Sequence, residues 1–105
     1  MTATIDVVAG ASVPVEATAV ADAADRTVVR ICGRISHVEV APLQGPAQLL
    51  ASIDDGTGAV EVVFMGRRII PGIRPGQLIG VTGRLVTEGG ARRIYNPRYE
   101  LACRA

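Results

Sequence analysis

The stretch Gln48-Leu49-Leu50-Ala51-Ser52-Ile53-Asp54-Asp55-Gly56-Thr57-Gly58-Ala59-Val60-Glu61-Val62-Val63-Phe64-Met65 decides the fold class. Leu49, Ala51 and Ile53 fall in one phase, and Val60, Val62 and Phe64 alternate against Glu61, Val63 and Met65. A period of two is the mark of a half-buried strand. Between the two runs, Asp54–Gly58 concentrates turn formers, with glycines free to take positive φ. Two alternating runs joined by such a turn predict an antiparallel hairpin.

The same period extends outward in both directions. In Val28–Ile35 the apolar positions are Val29, Ile31 and Ile35, and Arg30 and Arg34 occupy the opposite phase. After Ser36 the apolar phase moves to Val38 and Val40, which predicts a bulge or sharp bend within one strand. Ala41–Ala47, with Pro42, Gly45 and Pro46, predicts a loop. Residues 66–76 hold Gly66, Pro71, Gly72, Pro75 and Gly76, so no long helix fits there. Gln77–Val86 returns to strand, Glu88–Ala91 turns, and Arg92–Tyr95 makes a last short strand stopped at Asn96-Pro97, with Tyr99–Cys103 extending the edge. Ala-rich Glu16–Ala24 allows a short helix. Residues 1–15 predict an extended arm with a short strand around Thr4–Val8. Five strands, a bent first strand and glycines at matched places (Gly33, Gly83) predict an all-β, five-stranded barrel of residues 19–105 behind an arm of residues 1–18. Closure removes the edges that a short antiparallel sheet exposes, and an open five-stranded sandwich is the alternative.

With 105 residues, 49% of them hydrophobic, the chain holds one domain with a core. The net charge of +1 conceals an uneven distribution. Residues 1–25 carry Asp6, Glu16, Asp22 and Asp25 and no base, whereas residues 26–105 carry eleven arginines against six acids. A basic body points to a polyanionic partner. Asp6 and Glu16, with no nearby Lys or Arg, are wrong for a secretory signal, and no apolar run approaches a membrane span, so a cytoplasmic chain without a membrane partner is expected. Cys32 and Cys103 are too few and too scattered for a disulfide framework, and Cys32 reads as a small sheet residue.

Several segments together resemble a known family. Gly33-Arg34-Ile35, then Asp54–Phe64, then Pro71–Gln77 and Val81-Thr82-Gly83-Arg84-Leu85 look like an OB-fold nucleic-acid-binding domain. The chain is similar to the anticodon-binding type and to the wedge domain of RecG-type branched-DNA helicases. The latter likeness includes Tyr95-Asn96-Pro97-Arg98-Tyr99-Glu100. Gly66–Ile73 matches a Gly-Arg-Arg-x-Ile-x-Gly-Ile segment of small stand-alone bacterial OB-fold proteins. The resemblance spans residues 19–103 and implies a five-stranded Greek-key barrel. It also implies a ligand on the outer face of strands two and three, between loops 1–2 and 4–5.

By alternation the outward residues are Arg30, Cys32 and Arg34, then Leu50 and Ser52, then Glu61, Val63 and Met65. Phosphate neutralisation releases counterions, and base stacking on an aromatic plane is worth about 1–3 kcal/mol. The candidate nucleic-acid-binding residues are therefore Arg30, Arg34, Ser52, Arg67, Arg68, Arg74, Arg92, Arg93 and Tyr95. Tyr95 and Tyr99 either stack on bases or pack at the barrel end. Arg30 and Arg34 have a competing structural role in pairing with Glu61 on a neighbouring strand. Few aromatics and an uncharged loop 1–2 predict weak, salt-sensitive, sequence-tolerant binding of single-stranded or branched DNA or RNA. The alternative is a protein partner, or a second copy, docking on outward Leu50, Val63 and Met65.

Catalysis is not expected. Ser36 and His37 leave opposite faces of a strand, Asp54 and Asp55 serve a turn, and neither a phosphate-loop lysine motif nor a dinucleotide fingerprint is present. Cys32 and His37 lack further ligands at metal-binding spacing, so neither metal nor cofactor is expected.

Overall fold

The computed structural model describes residues 16–41 and 45–103, with backbone alone at 7–8 and 11–12. Most of the arm proposed for residues 1–18, and residues 42–44 of loop 1–2, lie outside the described residues. Val7–Val8 pairs antiparallel with Ala11–Ser12. Six strands follow: β1 (Thr27–Ala41), β2 (Gln48–Asp54), β3 (Ala59–Met65), β4 (Leu78–Glu88), β5 (Ala91–Tyr95) and β6 (Arg98–Leu101). Their order is β1-β2-β3-β5-β4-β6, and a further β1–β4 pairing joins five of them into a ring. Among the described residues, the β3–β5 pairing alone is parallel.

β1 serves two neighbours in turn. Its first half, Thr27–Arg34, pairs with β4, and its second half, Arg34–Ala41, with β2. The register slips between Ile35 and His37, leaving Ser36 as the extra residue of the bulge that the phase change predicts. Gly33 stands at this corner because a Cβ there would lie 2.7 Å from the Asp54 carbonyl oxygen. Any side chain at that position would force two strands apart.

The inward phases fill the barrel with Ile31, Ile35, Ile53, Val60, Val62, Ile79, Val81, Leu85 and Ile94, each essentially inaccessible to solvent. Two segments outside the strands plug it. One contributes Val20, from a three-residue 3-10 turn, Val20–Asp22. The short helix allowed over Glu16–Ala24 is reduced to this turn, because Val20 is the one fully buried side chain it offers. The turn is held from outside, where the Val20 N–H donates to Asp55 Oδ2 at 2.8 Å and the Ala21 N–H to Thr57 Oγ1 at 3.1 Å.

The other plug is the connection between β3 and β4, which buries Ile70 and Ile73. It is built from two Pro-Gly turns. The Ile73 N–H donates to Ile70 O and the Gln77 N–H to Arg74 O, with Gly72 at φ 87° and Gly76 at φ 91°. Proline preset for the second turn position and glycine for the third make this a rigid path without a helix.

β5 and β6 run along the same side of β4 and are separated by Asn96-Pro97. Asn96, at φ 49°, donates its N–H to Val63 O at 2.7 Å and accepts the Met65 N–H on Oδ1 at 2.8 Å. Its side chain thereby completes the β3 ladder where the backbone of β5 turns away. Beyond β6, Cys103 is bonded to Cys32, with Cα atoms 5.6 Å apart. Cys32 is thus a sheet residue, as expected, and also half of a disulfide. Gly80, cross-strand from Cys32, makes room for it, since a Cβ there would lie 2.8 Å from Cys103 Sγ.

Candidate functional site

The outer face of β2, β3 and β5 is set by register. One row runs His37–Ser52–Glu61–Arg93, and the next runs Glu39–Leu50–Val63–Tyr95. Gln48 and Met65 form the start of a third. The second row makes an apolar ledge. Val63, outward by alternation, is only 2% exposed because Leu50 and Tyr95 flank it in the same row, whereas Met65 and Tyr95 remain exposed.

The first row is polar and mutually satisfied. Arg93 Nε donates to Glu61 Oε1 at 2.8 Å, and Arg93 Nη1 lies 3.3 Å from Glu88 Oε1. The Tyr95 hydroxyl donates to the same Glu88 oxygen at 2.6 Å. The Tyr95 hydrogen bond, reinforced by Arg93, holds the Glu88 carboxyl below its ordinary value against slight desolvation. In return, the Glu88 carboxylate and slight desolvation push the Tyr95 phenol up, so it stays a neutral donor. Hydrogen bonds with Tyr95 and Glu88, then the Glu61 charge, raise Arg93 further. With Glu39 added, this face carries three carboxylates and one guanidinium.

Of the candidate arginines, Arg93 stands in the rows of this face. Arg30 stands on the β1–β4–β6 side, opposite Thr82, and Arg34 at the corner where β1 passes from β4 to β2, opposite both Leu78 and Asp54. Neither pairs with Glu61, whose carboxylate is engaged by Arg93. Arg30 instead forms an ion pair with Glu100 at 2.5 Å and donates to Cys103 Sγ at 3.1 Å. Arg34 Nη1 donates to the neutral Gly76 carbonyl at 2.6 Å. Arg92 leaves β5 on the opposite side from Arg93, toward Gly58, where a Cβ would lie 3.8 Å from its Nη1. Ser52 lies half-buried in the Arg93 row. Arg67, Arg68 and Arg74 are exposed on the β3–β4 connection. Tyr99 packs edge-on against Phe64, with ring centroids 5.6 Å apart, which is the barrel-end role.

Glu88 is the residue of this network that sequence reasoning missed. Its signal is the Gly89-Gly90 turn, which brings Glu88 opposite Ala91 and places Arg93 and Tyr95 beside it on one hairpin. Asp54 and Asp55 prove to be turn residues. Asp55 accepts from the Thr57 N–H and hydroxyl, the Gly58 N–H and the Val20 N–H, while Asp54 accepts from the Gly56 N–H. Partial burial pushes the Asp55 carboxyl up, but these hydrogen bonds outweigh it and hold the group below its ordinary value.

A family model described as an OB-fold nucleic acid binding domain, of the tRNA anti-codon type, matches residues 29–102. Among solved structures, the chain is similar to the replication factor A related protein from Methanobacterium thermoautotrophicum. The identity is 16%, the TM-score is 0.61, and the match covers 83% of this chain and 91% of that one. No curated protein matches the chain.

Proposed function

Because the chain belongs to the family of OB-fold nucleic acid binding domains, we propose that it binds single-stranded or branched nucleic acid, weakly and without sequence preference, as an accessory in DNA or RNA metabolism. The observation that carries the reading is the ledge of Leu50, Val63 and Tyr95 on the face formed by β2, β3 and β5. Tyr95 stands 41% exposed there with its hydroxyl fixed by Glu88, which supports its use as a stacking ring for a base. Stacking on one such ring contributes about 1–3 kcal/mol and tolerates any base. One fixed aromatic gives weak binding, and stacking gives sequence tolerance.

The test is a fluorescence anisotropy titration of labelled single-stranded DNA and RNA at about 50 mM and 200 mM salt, with a branched duplex as competitor. Binding at the lower salt that weakens at the higher supports the reading. An unchanged signal at the lower salt with protein in the range of about 100 μM, where non-specific binders are bound, sinks it.

One observation favours a second reading, a protein partner on the same face. Glu39, Glu61 and Glu88 outnumber Arg93 there, and Met65 is 52% exposed. Such a surface accepts an apolar segment flanked by basic residues, or a second copy of the chain. A concentration-dependent increase in mass by light scattering, abolished by Met65→Glu, distinguishes self-association from nucleic-acid binding.

A further inference from the structure

We infer that the phosphate backbone of the bound strand runs over the β3–β4 connection, along Arg67, Arg68, Arg74 and Arg34, and not across the strand face; this rests on the nucleic-acid reading above. Residues 66–77 contain three arginines and no acid. All three are exposed, and none has a carboxylate within ion-pair distance among the described residues. The two Pro-Gly turns fix where they stand. The segment leaves β3 with the Gly66 N–H bonded to Ala47 O, doubles back at Ile70–Ile73, and places Arg68 and Arg74 on either side of that turn.

The second turn then carries the path to β1. The Gly76 N–H donates to Ile35 O, and the Gly76 carbonyl accepts from Arg34 Nη1. Arg34 is thus oriented by a neutral group and, though Asp54 and Asp55 line the same pocket, has no carboxylate within ion-pair distance among the described residues. Its register partner Asp54 turns Oδ1 to the Gly56 N–H at 2.7 Å. Ile70 and Ile73, buried beneath, seat the row on the core.

The strand face offers a phosphate the opposite environment. Its single guanidinium is already engaged by Glu61 and Glu88, and a phosphate reaching it would have to displace a carboxylate while approaching two others. Like charges at such distances oppose binding, and they also steer the anion elsewhere. The division of labour follows: bases over Leu50 and Tyr95, phosphates along the connection.

The experiment measures oligonucleotide affinity against salt for the intact chain and for two variants. A single strand loses about 0.7 in the slope of log K against log salt for each phosphate contact removed. Arg67→Gln/Arg68→Gln/Arg74→Gln is expected to lower the slope by about 2 and to weaken binding at low salt. Arg93→Gln is expected to leave the slope unchanged. Denaturation midpoints for both variants guard against loss of fold, and Arg74→Glu alone, a single exposed change, repeats the test if the triple variant is unstable. The inference is overturned if the connection variants keep the parental slope, or if Arg93→Gln accounts for it. If the parent chain binds no oligonucleotide at low salt, the nucleic-acid reading itself fails and this path fails with it. If the parent binds and only the slopes disagree, the path alone is wrong.

Discussion

Arg93 and Arg74 have the same formal charge and opposite circumstances. Arg93 lies in a strand row where register delivers Glu61 from β3 and the β4–β5 turn delivers Glu88. Arg74 begins a Pro-Gly turn with no acid within the segment. A surface is therefore basic where its arginines lack acidic neighbours, and counting them along the chain does not show this. The strand face, by far the more ordered array of side chains, is the less cationic of the two regions.

The comparison is open to attack, most forcefully from beneath the connection. Ile73→Ala removes a buried side chain that seats the second turn, and should cost about 2–5 kcal/mol in urea denaturation. Oligonucleotide affinity should fall with it under conditions where the barrel remains folded. An effect below about 0.5 kcal/mol, the scale of a neutral surface change, would mean that the connection is not anchored and its arginines are not held in a row.

Asp55 offers a stability control in the turn between β2 and β3. Asp55→Ala strips the Asp54–Gly58 turn and the Val20 segment of their shared acceptor, at about 1–3 kcal/mol. Because its folded pKa is depressed, the contribution of Asp55 is complete at neutral pH. It is lost as the pH falls past the ordinary carboxylate value and through the lower folded one. The alanine variant should accordingly show a shallower fall in stability with acid than the parent, measured by thermal melts.

Tyr95→Ala tests the face by its own chemistry. It should weaken oligonucleotide binding about tenfold, within the range for one lost stacking plane, and leave the salt slope intact. Tyr95→Phe, which keeps the ring and loses the Glu88 bond, should retain most of the affinity. A loss in slope from Tyr95→Ala would break the separation of bases from phosphates.

The smallest effect is the most discriminating. Glu61→Gln with Glu88→Gln releases Arg93 and removes two negative charges from the face. Binding at low salt should strengthen a few-fold, and the slope should steepen by about 0.7, one added phosphate contact. No gain in either quantity would mean that the carboxylates do not govern what Arg93 does.

Strands were legible in the sequence wherever a period of two operates on one buried face. The hairpin at Gln48–Met65 follows from it, and so does the bulge at Ser36, because a phase change within one strand has few other causes. The 3-10 turn was not legible, since its conformation comes from Asp55 and Thr57, some 35 residues away. The site divides in the same way. Tyr95 and the arginines of the connection can be named from the chain alone. The neutralisation of Arg93 depends on a parallel β3–β5 pairing, and that of Arg30 on β6 returning to β4. Both pairings join distant segments, which no local pattern specifies.

The bond between Cys32 and Cys103 spans 71 residues of sequence and encloses most of the barrel. Under mechanical load applied on either side of the pair, tension would pass through two sulfur atoms and bypass residues 33–102. While the bond is intact, a pull on a tethered or threaded copy of this chain could peel away Thr27–Ile31 of β1 but not the strands enclosed between the two cysteines. After reduction the same pull would reach β4 through its short edge partner first.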